Sequence, residues 1–100
     1  MKVVHCKKEK YDIYIGRPSI WGNPYTHIKD KKTKAEFIVN SREEAIQKYE
    51  EYLRNQPDLI KLLPTLKNKI LGCWCSPKSC HGDIIIKLYN ELINKGDNNE

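Results

Sequence analysis

Residues 73–83 read CWCSPKSCHGD and hold three of the chain's four cysteines, a histidine and an aspartate. That density admits three chemistries. Zinc takes thiolate and imidazole ligands, so Cys73, Cys75, Cys80 and His81 form a candidate tetrahedral set. Their spacing, C-x-C-x4-C-H, is not that of paired C-x2-C knuckles. On a straight strand Cys73 and Cys75 would stand about 6–7 Å apart, whereas two sulfurs on one zinc come within about 4 Å. The backbone would have to bend at Trp74, with His5 and Cys6 as remote partners. The second chemistry places Cys80 at a helix N-terminus, where its thiolate is favoured and unpaired amides welcome an anion. His81, adjacent to it, could act as acid or base near neutral pH, and Asp83 could cap the helix or orient it. Cys80, His81 and Asp83 are then the candidate catalytic groups. No arginine follows Cys80 as a phosphatase loop would require, so nucleotide or nucleoside binding, with or without hydrolysis or group transfer, fits better than covalent phosphoryl chemistry. The third chemistry is none: a capped helix with cysteines packed as small apolar residues.

A second segment, GRPSIWGNP at residues 16–24, is rich in loop formers. Gly16 and Gly22 permit close backbone approach and positive φ. Arg17 offers a planar, permanently charged fork for phosphate or carboxylate. Trp21, like Trp74 in the other segment, offers a flat face, and Asn23 can both donate and accept. The competing reading is a rigid loop whose Trp21 fills the core and whose Arg17 pairs with a carboxylate.

These segments need elements to hold them. Val3 to Cys6 and Asp12 to Ile15 have strand character and are separated by a Lys-rich turn. His27 to Lys34 is charged and expected to be exposed, and Glu36 to Val39 could be a short extended piece. Ser41 and Glu44 make a capping box, and Ala45, Ile46, Tyr49, Tyr52 and Leu53 then share one helical face. Pro57 and Asp58 open a second short helix with Leu59, Leu62, Leu63 and Leu66, weakened at its end by Pro64. Lys69 to Trp74 reads as a strand. A last helix starts around Ser79 to Gly82, carries Ile84, Ile85, Leu88, Tyr89 and Leu92, and ends at Gly96. The expected fold is a small single-domain α/β protein spanning residues 1–100, with a short sheet of three to four strands flanked by helices, Rossmann-like, and a frayed tail at 96–100. In such sheets ligands bind beyond the carboxyl ends of the strands. If the strands ending at Ile15 and near Trp74 are parallel neighbours, the two loops share one cleft.

The bulk composition limits the function classes. At 100 residues, with 39% hydrophobic and 31% charged, the chain can form a core without disulfide staples. The MKVVHCKKEK start is too polar for a signal peptide, and no apolar run approaches a bilayer span. The expected compartment is the cytoplasm, where clustered cysteines suggest metal or reactivity before disulfides. The net charge of +5 can attract nucleic acid, nucleotides or anionic lipid, or it can simply keep the chain in solution. The lysines favour the second reading: in sequence they are scattered and not interleaved with aromatics as a single-strand binder would want.

YIGRPSIWGNP near the front, SREEAIQKYEEYL in the middle and LGCWCSPKSCHGD before the final helix resemble a family of small bacterial and phage proteins, the domain of unknown function DUF4326. The resemblance covers about residues 11–93. The shared signature it implies is Gly16, Arg17, Trp21, Gly22, Asn23 and Pro24 with Cys73, Cys75, Pro77, Cys80, His81 and Gly82, and Cys6 is outside it. The family brings no activity to carry over. More loosely, the second loop resembles the cysteine–histidine segment of another uncharacterised family, DUF488.

These observations converge on a small cytoplasmic, phage-type protein that binds a nucleotide-like or phosphorylated small molecule between the two loops. Gly16, Arg17, Trp21, Gly22, Asn23, Trp74 and Gly82 would hold it; Cys80, His81 and Asp83 would supply any hydrolase or transferase step. The alternatives are a zinc-stabilised module for nucleic-acid or protein interaction, using Cys73, Cys75, Cys80 and His81, and a phage anti-defence protein that sequesters a nucleotide signal or acts by protein contact. Monomer and homodimer both fit.

Overall fold

The computed structural model describes residues 1–26, 37–74 and 80–97, with side chains as far as 94. The charged stretch His27 to Lys34, Cys75 and the last three residues lie outside the described residues.

The chain runs β1 (Lys2–His5), β2 (Ile13–Tyr14), β3 (Tyr25–Thr26), β4 (Phe37–Ile38), α1 (Arg42–Arg54), α2 (Pro57–Leu62), a 3-10 turn (Leu63–Leu66), β5 (Ile70–Cys73) and α3 (His81–Asp97). The expected strands and helices are present, and α3 continues one residue past Gly96. The Ser41 hydroxyl accepts the Glu44 amide at 3.1 Å, as a capping box requires. Glu44 reaches back to the Asn40 amide at 3.2 Å. Pro57 starts α2 because the missing N–H is one of a helix's unpaired donors anyway. Pro64 then turns the chain into the 3-10 segment. Asn68, at φ 63°, makes the turn into β5, a conformation asparagine tolerates better than most residues.

The main sheet has three strands in the order β1-β5-β2, all parallel, and β3 and β4 form a separate parallel pair. The two front strands therefore do not pair across the Lys-rich turn: β5 lies between them. Residues 6–12 must carry the chain from the C-terminal end of β5, where the Cys6 amide bonds the Cys73 carbonyl at 2.9 Å, back to its N-terminal end, where the Asp12 amide bonds the Ile70 carbonyl at 2.8 Å. Parallel strands usually need a dozen or more residues for this, with a helix among them. The short path works because of Gly72. A Cβ there would lie 2.6 Å from the Tyr11 ring, so the crossover passes close over the middle of β5. The β2-to-β5 connection carries α1 and α2. The fold is thus mixed α/β, as expected; the narrower Rossmann-like description is not established.

Side chains alternate across a strand. Val3, Leu71 and Ile13 are register partners and belong to the core side, against α3. Val4, Gly72 and Tyr14 are the next set and face the crossover. On the core side Ile15, Tyr49, Leu53, Leu63, Leu66, Leu71, Cys73 and Ile85 are almost completely buried. Each large aliphatic among them contributes about 1.5–3 kcal/mol. The N-terminal turn of α3 sits close on the sheet because position 82 is glycine: a Cβ would lie 2.8 Å from Val3 Cγ2 and 2.9 Å from Ile15 Cδ1. An ionic cluster of Arg54, Glu50, Lys87 and Glu91 joins α1 to α3 on the outside. No described helix is long and apolar enough to cross a membrane.

Candidate functional site

β2 and β5 are parallel neighbours, so the chain leaves both at the same edge of the sheet. The Ile15 amide still bonds the Gly72 carbonyl at 2.9 Å, which directs Gly16 and Arg17 out at that edge beside Trp74. Two side-chain bridges then join the segments. His81 Nε2 meets the Ile15 carbonyl at 2.6 Å. The Trp74 indole N–H donates to the Tyr14 hydroxyl at 2.7 Å, which donates to the Arg17 carbonyl at 3.2 Å.

A carbonyl only accepts, so His81 Nε2 carries the proton and, in the neutral ring, Nδ1 keeps its lone pair. The ring is buried and stands edge-on to Tyr49, centroids 5.0 Å apart. Burial, above all, holds its pKa below the ordinary imidazole range, and the nearby Arg17 charge adds to that; the bond to Ile15 and the Asp83 carboxylate work the other way. Tyr49 is buried, which pushes its phenol strongly up, so it stays protonated and donates to the Trp21 carbonyl at 2.8 Å.

Arg17 precedes a cis peptide bond to Pro18. Its Nη1 donates to the Asn23 carbonyl at 3.0 Å and reaches the Tyr25 carbonyl at 3.5 Å. Among the described residues its guanidinium meets no carboxylate within ion-pair distance. Among the described residues, the half-buried charge is held by backbone carbonyl dipoles.

Trp21 is 4% exposed and part of the core, so its ring meets protein and not a cleft. Asn23 is buried and engaged at both ends: its side-chain amide donates to the Ala45 carbonyl at 3.1 Å and its carbonyl accepts the Tyr25 amide at 2.9 Å. It ties the loop to α1. At Gly16 the Tyr14 hydroxyl fills the place of a Cβ, and at Gly22 a Cβ would lie 3.0 Å from Arg17 Cγ. No described glycine has positive φ; space, not unusual torsion, is what Gly16, Gly22, Gly72 and Gly82 provide.

In the second segment, Cys73 and Cys80 are buried with their sulfurs 3.2 Å apart. Cys80 Sγ also accepts the Gly82 amide at 3.3 Å. Asp83 caps the helix, its carboxylate accepting the Cys80 amide at 3.2 Å, and its own amide bonds the Cys80 carbonyl at 3.0 Å. Several first-turn amides that could hold an anion are thus already used. Trp74 differs: it is 55% exposed, its edge fixed by Tyr14 and Lys7 Nζ lying 5.4 Å from its ring centre.

The structure therefore brings Arg17, Trp74, Cys80, His81 and Gly82 to one edge and turns Trp21 and Asn23 into scaffold. Sequence reading missed Tyr14 and Tyr49, whose hydroxyls orient the two loops. Tyr14 adjoins the first loop, which was the available signal; Tyr49 was legible only as an apolar helix position.

Two known proteins are similar to this chain. An uncharacterised protein of Acanthamoeba polyphaga mimivirus, R718, is 37% identical over 97 residues, covering 86% of this chain and 72% of that protein. An uncharacterised 12.4 kDa protein of Enterobacteria phage T4, from the nrdA-td intergenic region, is 37% identical over 96 residues, covering 92% of this chain and 80% of that protein. No solved structure matches. The profile of a domain of unknown function matches residues 3–91, nearly all of the folded part, and the chain belongs to that family, DUF4326.

Proposed function

We propose that this protein binds a nucleotide-like or phosphorylated small molecule at the C-terminal edge of its three-stranded sheet, between Arg17 and Trp74. The observation that carries this reading is Arg17: a half-buried cation with no carboxylate partner among the described residues, on the loop that His81 and Tyr14 tie to the second segment. An anion would complement that charge. Trp74, held by its N–H and more than half exposed, suits a base. Such an edge is where open α/β sheets take their ligands. The groups expected to do chemistry are each engaged: Cys80 with Gly82, His81 with Ile15, Asp83 with the cap. That supports binding over turnover.

Trp74 provides the test. Titration with a panel of mono- and dinucleotides, followed by tryptophan fluorescence and calorimetry, should quench the exposed indole at micromolar to millimolar ligand. Trp74→Ala should abolish the response without unfolding the protein. Absence of heat and quenching at millimolar ligand, with folded protein, would overturn the reading.

The 3.2 Å approach of Cys73 and Cys80 favours a second reading, a metal thiolate site. Two sulfurs on one zinc stand within about 4 Å. Cys75, the third sulfur of that set, lies outside the described residues, and His81 could join only through Nδ1. Elemental analysis decides: about one zinc per chain, with loss of stability on chelation, supports it; metal-free folded protein excludes it.

A further inference from the structure

The face of the sheet opposite the core carries a feature that the linear sequence hides. Lys7 and Trp74 are far apart in the chain, but the pairing of His5 with Cys73 brings them together. Lys7 Nζ lies 5.4 Å from the centre of the Trp74 ring, and the His5 ring stands edge-on to it at 5.9 Å. Tyr14 holds the indole N–H and sits 6.2 Å from Tyr11, which is 42% exposed above Gly72. Residues 6–11 of the crossover, Tyr11 among them, line an open hollow of about 520 Å³. Lys7, Lys8 and Lys10 are exposed there, with Glu9 as the one acid among them. None of the three lysines is in an ion pair with a described residue.

We propose that this strip, from Trp74 across Lys7 to Tyr11, binds single-stranded nucleic acid. It rests on the reading that Trp74 faces the ligand and extends it from one nucleotide to a polymer. Binders of single strands combine rings for successive bases with cations along the backbone. The fold supplies that interleaving by laying the Lys-rich crossover over the aromatic face of β2 and β5. A duplex keeps its base faces stacked inside and cannot stack them on the exposed ring of Trp74, so the strip favours unpaired strands. The net charge of +5 adds long-range attraction.

The test is fluorescence anisotropy with labelled homopolymer single strands of DNA and RNA, against a duplex of the same length and a mononucleotide. Single strands should bind more tightly than either. The logarithm of affinity should fall against the logarithm of salt with a slope of about −2 if three lysines each displace counterions. Trp74→Ala should weaken strand binding roughly 5- to 100-fold. Tyr11→Leu, which keeps bulk over Gly72, should weaken the strand and spare the mononucleotide. The exposed pair Lys7→Glu and Lys10→Glu, with no buried side chain removed, should weaken strand binding and flatten its salt slope. Mononucleotide binding with no gain for a strand overturns this inference and leaves the proposed function standing; loss of both overturns both. Duplex binding as tight as single-strand binding, or strand binding indifferent to Trp74→Ala, overturns it as well.

Discussion

Trp21 and Trp74 stand on the two segments that flank one edge of the sheet, and they are 4% and 55% exposed. Both lie in loops rich in glycine, proline or cysteine, and each is tied by one hydrogen bond to a tyrosine hydroxyl. For Trp21 the tie is through the backbone: its carbonyl accepts from Tyr49, and its ring is left to pack in the core. For Trp74 the tie is the indole N–H itself, bonded to Tyr14, and the ring is left in solvent. The difference arises from the element that covers each loop. The first is clamped down by α1, through Tyr49 and through Asn23 bonded to the Ala45 carbonyl. The second leaves the end of β5, on the face where, among the described residues, the crossover lies over Gly72. The same residue type thus supports the fold in one loop and stays available to a ligand in the other.

Substitution by alanine should separate the two sharply. Trp21→Ala removes a large buried ring and leaves a cavity, and should cost about 3–5 kcal/mol, a large part of a small domain's stability. Trp74→Ala should cost under about 1 kcal/mol. Urea midpoints of the two variants provide the check, and equal losses would break the comparison. Asn23→Ala should come next. It strips the partner from a buried carbonyl and from the Tyr25 amide, for about 1–3 kcal/mol, with the loop detached from α1. A loss under about half a kilocalorie would mean that water replaces both bonds and that Asn23 does not anchor the first loop to the helix.

Much of this arrangement is legible in the sequence alone. The capping box at Ser41, the proline start of α2 and the apolar face of α3 are local signals, complete within a few residues, and the elements form where they say. The adjacency of the two loops rests on a conditional: parallel neighbours release their chains at one edge. The part that is not legible is long-range. Nothing in VVHCKKEKYDIY says that β5 will enter between its two strands, since strand pattern records burial and not partners. Gly72, in the middle of an apolar strand, is the one hint of close approach, but its visitor, Tyr11, lies far away in sequence. The distinction between Trp21 and Trp74 is invisible for the same reason, as covering depends on a helix elsewhere in the chain.

The comparison extends to acid. His81 binds the first loop as a buried neutral ring, with its pKa lowered chiefly by burial and further by Arg17, against the pull of the Ile15 bond and Asp83. Above the ordinary imidazole value of about 6.5, folded and unfolded chains both keep it neutral, and stability does not depend on it. Between that value and the lowered folded one, the unfolded chain takes a proton that the folded chain refuses. Stability should therefore fall as pH falls through that window, by at most about 1.4 kcal/mol per unit, and stop falling below it. Glu50, lowered by its bonds to Arg54 and Lys87, acts only further down, below the ordinary carboxylate range. Urea midpoints measured from about pH 7.5 down to about pH 5 should show the slope, and His81→Gln should flatten it. A slope that survives this substitution would mean that His81 is not what joins the loops in acid.

The smallest effect tests whether Trp74 belongs to the fold at all. Its contact with Lys7, at 5.4 Å from the ring centre, joins two exposed side chains. A cation over an exposed ring is worth about 0.5–1 kcal/mol, and several times that range only when water is excluded. A double-mutant cycle on Lys7→Ala and Trp74→Ala, read by urea unfolding, should therefore give a coupling below about 1 kcal/mol. A coupling of about 2 kcal/mol or more would mean that the pair is desolvated and holds the crossover to the sheet. Trp74 would then be a structural residue like Trp21, and a ligand would have to displace Lys7 before it could reach the ring.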